Sequence, residues 1–356
     1  MKLTNRLQRL RQKLVDNELD GIFISQPENR YYLSGFDGSA GFLVITAKDT
    51  VLATDFRYLE QAEKQAPDYK IFRINSDIAT WFPQVVADAH ITRLGFEAEH
   101  ITFALYHRLI ESLCKASSKV KLVATNGLVE SLRAIKEPEE IELITKAIEI
   151  SDSAIEYIKD VIHVGMSEKE VAWEIEMFMR KKGSQSLPFE VIVASGHNSA
   201  LPHAKPSPKA IQPGEPVVID IGARVNGYVS DLSRTICLGT PDKSFNKVYD
   251  IVLGAQLTAI AMINENMTGE EADSLARVII EEAGYGEAFG HSLGHGIGLM
   301  PHESPRLGTN SMDKLVNGMV FTIEPGIYLP GWGGVRIEDV VIMENGKLRI
   351  IGNAKK

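Results

Sequence analysis

Apolar residues in the first third of the chain fall into short runs separated by segments of helical spacing. Residues 20–25, 42–47 and 50–54 are rich in Ile, Val and Leu and read as strands, as do 69–74, 93–96 and 120–123. Between them, 56–65, 77–90 and 103–115 repeat apolar positions every three or four residues, the helical period. Ahead of these, Leu3, Leu7, Leu10 and Leu14 mark an amphipathic helix with no signal-type apolar run behind it. The alternation predicts an α/β domain on a mixed sheet.

Near residues 131–139 the alternation stops. A long helix follows to about Val161, with Pro138, Glu139 and Glu140 in its first turn. Proline lacks only an N–H that is unpaired there anyway, and the helix dipole favours the acids. Capping boxes at Ser167 with Glu170 and at Thr268 with Glu271 open two more helices, which Gly183 and Gly284 end. A further helix is expected over 242–264, and strands over 191–195, 217–223, 228–238, 319–324 and 335–343. Two domains result, residues 1–131 and 132–356, the second α+β with long helices covering an antiparallel sheet. A length of 356 residues suits that division.

Composition narrows the function classes. With 44% hydrophobic and 24% charged residues the chain is ordinary globular material. Its net charge of −9, with no Lys/Arg cluster, argues against nucleic acid or an anionic membrane as partner. No stretch reaches the ~18 apolar residues of a membrane span. Cys114 and Cys237 lie in apolar surroundings far apart in sequence and read as buried small side chains rather than a disulfide. Such sparing use of cysteine suits a reducing compartment, so a soluble cytoplasmic protein is expected.

The segment 217–236, VVIDIGARVNGYVSDLSRTI, carries the first chemistry. Asn226-Gly227 is a two-residue hairpin signal, because both turn positions want positive φ. With those two as the loop, Asp220 faces Ser233 and Asp231 faces Gly222. The two carboxylates then leave the same face as diagonal neighbours, roughly 7–8 Å apart at the backbone. Buried carboxylates must be paired or bind metal; salt bridges to Arg224 or Arg234 are the plainer alternative.

Gly290-His291-Ser292-Leu293-Gly294-His295-Gly296-Ile297-Gly298 sets two histidines four apart among glycines, which argue against a helix and for close backbone approach. His302 follows, and His203 sits earlier between Pro202 and Ala204. Glu324 ends a strand at Pro325-Gly326, and Glu338 stands beside Arg336, where a simple ion pair is the plainer reading. Charge arithmetic across the segments favours metal. Asp220, Asp231, Glu324 and Glu338 sum to −4, which two divalent cations would neutralise, whereas four bare carboxylates would repel and take up protons. One imidazole among oxygen donors fits manganese, cobalt, iron or zinc in high coordination, and fits a thiolate-type structural zinc site poorly.

These motifs together resemble the M24 metallopeptidases, and within them the Xaa-Pro branch of prolidases and aminopeptidases P. The matching stretches are Leu201-Pro202-His203, the Asp220/Asp231 hairpin, His291 to His302 with its glycines, Ile323-Glu324-Pro325-Gly326 and Arg336-Ile337-Glu338-Asp339. The resemblance implies a pita-bread catalytic domain behind a smaller creatinase-type N-terminal α/β domain. It implies two divalent ions, manganese or cobalt foremost and zinc or iron next. They would be held by bidentate Asp220, bridging Asp231 and Glu338, and by His295 and Glu324. His203, His291 and His302 would line the pocket and act on substrate, with Arg336 orienting the Glu338 and Asp231 region. Short proline-containing peptides are the implied substrates, and a homodimer the implied assembly. Met300 stands where the family often carries an acid, outside the ligand positions.

Cations of this kind lower the pKa of a shared water, and Glu324 is the expected general base and acid. Arg306 would meet a free proline carboxylate, which favours a dipeptidase, though a solvated loop charge reads equally well. The alternatives are an Xaa-Pro aminopeptidase acting on longer peptides, a creatinase-like C–N hydrolase, and a non-catalytic relative, the last two disfavoured by the complete ligand set.

Overall fold

A computed structural model describes residues 3–356, which divide into two compact units between Arg133 and Ala134. In the first unit, β1 (Gly21–Ile24), β2 (Phe42–Thr46), β3 (Thr50–Asp55), β4 (Lys70–Ile74), β5 (Arg93–Glu97) and β6 (Lys121–Thr125) form one sheet. Its order is β4-β3-β2-β1-β5-β6, antiparallel at β1/β2 and β2/β3 and parallel elsewhere, the mixed sheet the alternation predicts. The helices are α1 (Leu3–Asp16), α2 (Pro27–Ser34), α3 (Leu59–Gln65), α4 (Ile78–Asp88), α5 (Phe103–Lys115) and the single turn α6 (Glu130–Arg133). Leu7, Leu10 and Leu14 of α1 are buried, each worth about 1.5–3 kcal/mol of burial. The pattern reading omits α2, although Pro27 opens it and Gly35 closes it at φ 75°.

The second unit begins with α7 (Pro138–Val161) and α8 (Glu168–Lys181) and continues with α9 (Lys243–Met262) and α10 (Gly269–Glu282). Both capping boxes form as the sequence predicts, and Gly183 and Gly284 take positive φ just past their helices. The strands are β7 (Ile192–Ser195), β8 (Pro216–Ile221), β9 (Arg224–Val225), β10 (Tyr228–Val229), β11 (Leu232–Cys237), β12 (Gly294–Gly296), β13 (Glu303–Leu307), β14 (Val320–Ile323), β15 (Gly326–Leu329), β16 (Gly333–Arg336), β17 (Asp339–Glu344) and β18 (Lys347–Ile350). They form a three-stranded sheet, β11-β8-β7, a five-stranded sheet, β13-β12-β14-β17-β18, and the pairs β9/β10 and β15/β16, every pairing antiparallel. α9 and α10 pack their Val, Ala and Ile faces with Phe321, Ile323 and Val341 of the larger sheet, while α7 and α8 share a second core with β7, β8 and β11.

Three expectations need correction. Cys114 is exposed and Cys237 only half-buried, because α5 turns Cys114 to solvent near its last turn; both are free thiols. The strand expected over 228–238 breaks at Ser230-Asp231, and the one over 335–343 breaks at Ile337-Glu338. At each break a carboxylate leaves the regular ladder. No described helix is long and apolar enough to cross a membrane.

Candidate active site

The hairpin register is the one Asn226-Gly227 demands. Val225 pairs with Tyr228, Ser233 with Asp220, and Asn226 and Gly227 take φ 47° and 85°. Glu338, in the second break, donates its backbone N–H to the Ser233 carbonyl at 3.1 Å, which ties the β16–β17 junction to β11. Behind it, Arg234 donates to the Glu338 carbonyl and pairs with Asp339 at 2.7 Å. Arg234 is therefore spent on Asp339, and Arg224 donates to the carbonyls of Gly227 and Leu299.

His295 sits in β12, between β13 and β14. Its Nδ1 lies 3.2 Å from the Gly296 carbonyl, which can only accept, so the proton stays there and Nε2 faces outward. Nε2 lies 3.1 Å from Glu324 Oε1 and 3.7 Å from Asp231 Oδ2. Thr322 fastens this corner: its hydroxyl accepts from the His295 N–H and donates to Glu324. The glycines of the segment are steric necessities, since a Cβ on Gly294 would stand 1.9 Å from the Thr322 carbonyl oxygen.

Asp231, His295 and Glu338 each offer a donor atom within 4.8 Å of the others, the one such group among the described residues. Asp220 and Glu324 share a cavity of about 650 Å³ with Asp231 and His295. Burial pushes the Asp220, Asp231 and Glu338 carboxyls up, and the neighbouring acids push Asp231 and Glu338 further, well above the carboxylate range. Burial also pushes Glu324 up, but His295 and Arg336 outweigh it and hold Glu324 below its usual range. Asp220 Oδ1 and Glu338 Oε1 are buried without a hydrogen-bond partner among the described residues. Buried lone pairs with no proton aimed at them and mutually repelling acids are the donor set that divalent cations satisfy. The residues fit metal.

Arg336 makes no ion pair with Glu338 among the described residues, although its charge acts on both Glu338 and Asp231. It bonds Asp220 Oδ2 at 2.7 Å, Ser233 Oγ at 2.8 Å, Tyr328 Oη at 2.9 Å and the Pro202 carbonyl at 3.2 Å. Because Arg336 can only donate, the Tyr328 hydroxyl proton points to His291 Nε2, 2.9 Å away, and His291 Nδ1 donates to the Ser292 carbonyl at 2.8 Å. His291 is thus a neutral imidazole, and burial lowers its pKa accordingly. Both its nitrogens are engaged within the protein, and its ring lines the cavity. His203 and His302 line the same cavity exposed and without side-chain hydrogen bonds among the described residues, and the His302 ring lies 4.1 Å from that of His295. Tyr328, Thr322 and Ser233 were missed from sequence because a lone hydroxyl in a strand carries no spacing signal.

Arg306 lies directly across the ladder from His295, so both side chains leave the same face. Its Nε donates to Ser292 Oγ at 3.2 Å, and its two terminal nitrogens have no hydrogen-bond partner among the described residues. An unneutralised guanidinium therefore stands on the cavity wall.

Comparisons with known proteins identify the family. Residues 142–345 match Metallopeptidase family M24, and residues 6–135 match the Creatinase/Prolidase N-terminal domain. An Xaa-Pro dipeptidase of Pyrococcus furiosus is 40% identical over 352 residues, covering 98% of each chain. The solved structure of an Xaa-Pro dipeptidase from Bacillus anthracis superposes with a TM-score of 0.96 at 43% identity, over 100% of this chain and 99% of the other. That of an X-Pro aminopeptidase from Thermotoga maritima gives 0.90 at 37% identity over 98% of each. The α+β unit is accordingly the pita-bread fold, preceded by a creatinase-type unit. The chain belongs to the M24 metallopeptidases, in the group of the Xaa-Pro dipeptidases.

Proposed function

We propose that this chain is a dinuclear metal-dependent peptidase that hydrolyses the bond preceding proline in Xaa-Pro dipeptides and other short proline-containing peptides. Asp220, Asp231, His295, Glu324 and Glu338 would hold the cations, with manganese or cobalt preferred over zinc or iron for an oxygen-rich set. Bound there, the cations would supply Lewis acidity, lowering the pKa of a water and drawing charge from the scissile carbonyl. Glu324, the acid held ionised, takes the proton of the attacking water and returns it to the leaving proline nitrogen. His203 and His302 donate to the carbonyl oxygen as it gains charge. His291 acts through Tyr328, whose hydroxyl keeps Arg336 on Asp220. A homodimer and a cytoplasmic location belong to the same reading, resting on the family resemblance and on sparing cysteine use.

The uncommitted Arg306 guanidinium beside His295 is the observation that carries the dipeptidase reading. A tertiary amide offers the site no N–H, so recognition must come from the ring and from the free carboxylate. Purified, Mn²⁺-loaded protein should hydrolyse Gly-Pro and leave Gly-Pro-Xaa peptides intact. Arg306→Met should weaken Gly-Pro use by about two- to fivefold, the effect of losing one exposed charge pair. Cleavage of Gly-Pro-Xaa with Gly-Pro refused would instead assign an Xaa-Pro aminopeptidase, the reading favoured by the likeness to the Thermotoga maritima enzyme.

A further inference from the structure

Glu168 is the first residue of α8 and is fully buried, yet the helix dipole alone does not explain where its carboxylate goes. Oε1 accepts from the backbone N–H and hydroxyl of Ser195 at 2.7 and 2.8 Å. Oε2 accepts from the backbone N–H and hydroxyl of Ser207 at 3.0 and 2.6 Å. The Asn198 amide bridges both oxygens at 3.1 and 3.2 Å. Ser195 ends β7 and Ser207 lies beyond the Pro202-His203 stretch, so one carboxylate grips both ends of the segment 196–206. The free N–H groups at the start of α8 reinforce the grip: Glu168 donates to the Lys209 carbonyl at 3.1 Å and Lys169 to that of Ser207 at 3.2 Å.

Within the segment, Gly334 donates to Ser199 Oγ at 2.8 Å and Arg336 to the Pro202 carbonyl. His203 stands exposed on the cavity wall next to Pro202, with no side-chain hydrogen bond among the described residues to fix its place. Its position is that of its backbone, and the backbone is held at the base by Glu168 and near the tip by Arg336.

We propose that Glu168 is a positioning residue that sets His203 over the reaction site by clamping both ends of the 196–206 segment. A buried carboxylate met by five donor atoms is the group that such converging N–H and O–H bonds require. An amide cannot replace it, because its NH₂ would oppose the donors of one serine. Displacing a catalytic contact by about 1 Å costs on the order of a hundredfold. The proposal rests on the peptidase reading for its kinetic arm only.

The test is a double-mutant cycle in metal-loaded, full-length protein, joining Glu168→Gln to His203→Ala, with Ser207→Ala as the milder variant. Hydrogen exchange across residues 196–206 is measured alongside. Glu168→Gln should lower kcat on an Xaa-Pro dipeptide by about ten- to a hundredfold, and Ser207→Ala by less. In the His203→Ala background Glu168→Gln should cost less than about threefold, since coupled residues are non-additive. Exchange should rise within 196–206 in Glu168→Gln and stay unchanged in β8 and β14. An equal loss with and without His203, or unchanged exchange in 196–206, overturns the proposal. Wild-type protein inert on every Xaa-Pro peptide would instead sink the peptidase reading, and the exchange result would still decide whether Glu168 clamps the segment.

Discussion

At the scale of single residues, the site is a set of acids that cannot all stay ionised together. Asp231 is the clearest case, pushed up by burial and then by Glu338, Asp220 and Glu324. Asp231→Asn should therefore raise the melting temperature of chelated protein by about 2–4 °C, the shift that ~1 kcal/mol produces in a unit of this size. The same variant should lose most of the further rise that Mn²⁺ gives wild type. Calorimetry of both proteins with and without metal reads this directly. A lower melting temperature for chelated Asp231→Asn would mean that the acid serves the fold rather than the cations. The sequence made the acids visible because they interrupt runs of Val, Ile and Leu. It hid Tyr328, whose hydroxyl matters only through partners brought from Arg336 and His291 by the fold. It hid Glu168 as well, since an acid in a helix's first turn is what the dipole accounts for already.

At the scale of elements, the Asn226-Gly227 turn fixed the register of β8 against β11 because a one-residue slip reverses every side chain. The breaks at Ser230-Asp231 and Ile337-Glu338 had no such signal, as both lie inside runs that alternate like unbroken strands. The short strand β12 and the Gly333-Gly334 start of β16 were unreadable for the opposite reason, being too glycine-rich to show a pattern. Their glycines carry the packing: Gly294→Ala would drive a Cβ into the Thr322 carbonyl, which belongs to the backbone and cannot swing away. Overpacking of this kind costs about 3 kcal/mol, so the melting temperature should fall by roughly 6–12 °C; a change within ~2 °C would show that the strands move apart freely. The Glu168 clamp predicts an acid dependence. Burial raises its pKa, but the bonds from Ser207, Ser195 and Asn198 outweigh burial and hold it below the ordinary 4.5. The ionised form is favoured in the fold, so its stabilisation is present above that value and is lost as pH falls through the lowered one. The melting-temperature gap between wild type and Glu168→Gln should be full near neutrality and shrink as pH falls below the ordinary 4.5. A gap that grows in acid would contradict the assignment.

At the scale of the whole molecule, the second unit gathers its donors from well-separated stretches of chain: the 217–236 hairpin, β12, the end of β14 and the β16–β17 junction. Local pattern cannot show that such segments meet. Charge arithmetic suggested it, since four acids without cations make no physical sense in an apolar setting, and the family resemblance supplied an arrangement. The decisive measurement is metal content against turnover on Gly-Pro, taken on protein stripped by exhaustive chelation and then titrated with Mn²⁺. The account predicts no turnover after stripping, binding of two ions per chain, and recovery of activity as they bind. Full turnover in the stripped protein, or failure of the five-residue site to bind any divalent ion, would contradict it.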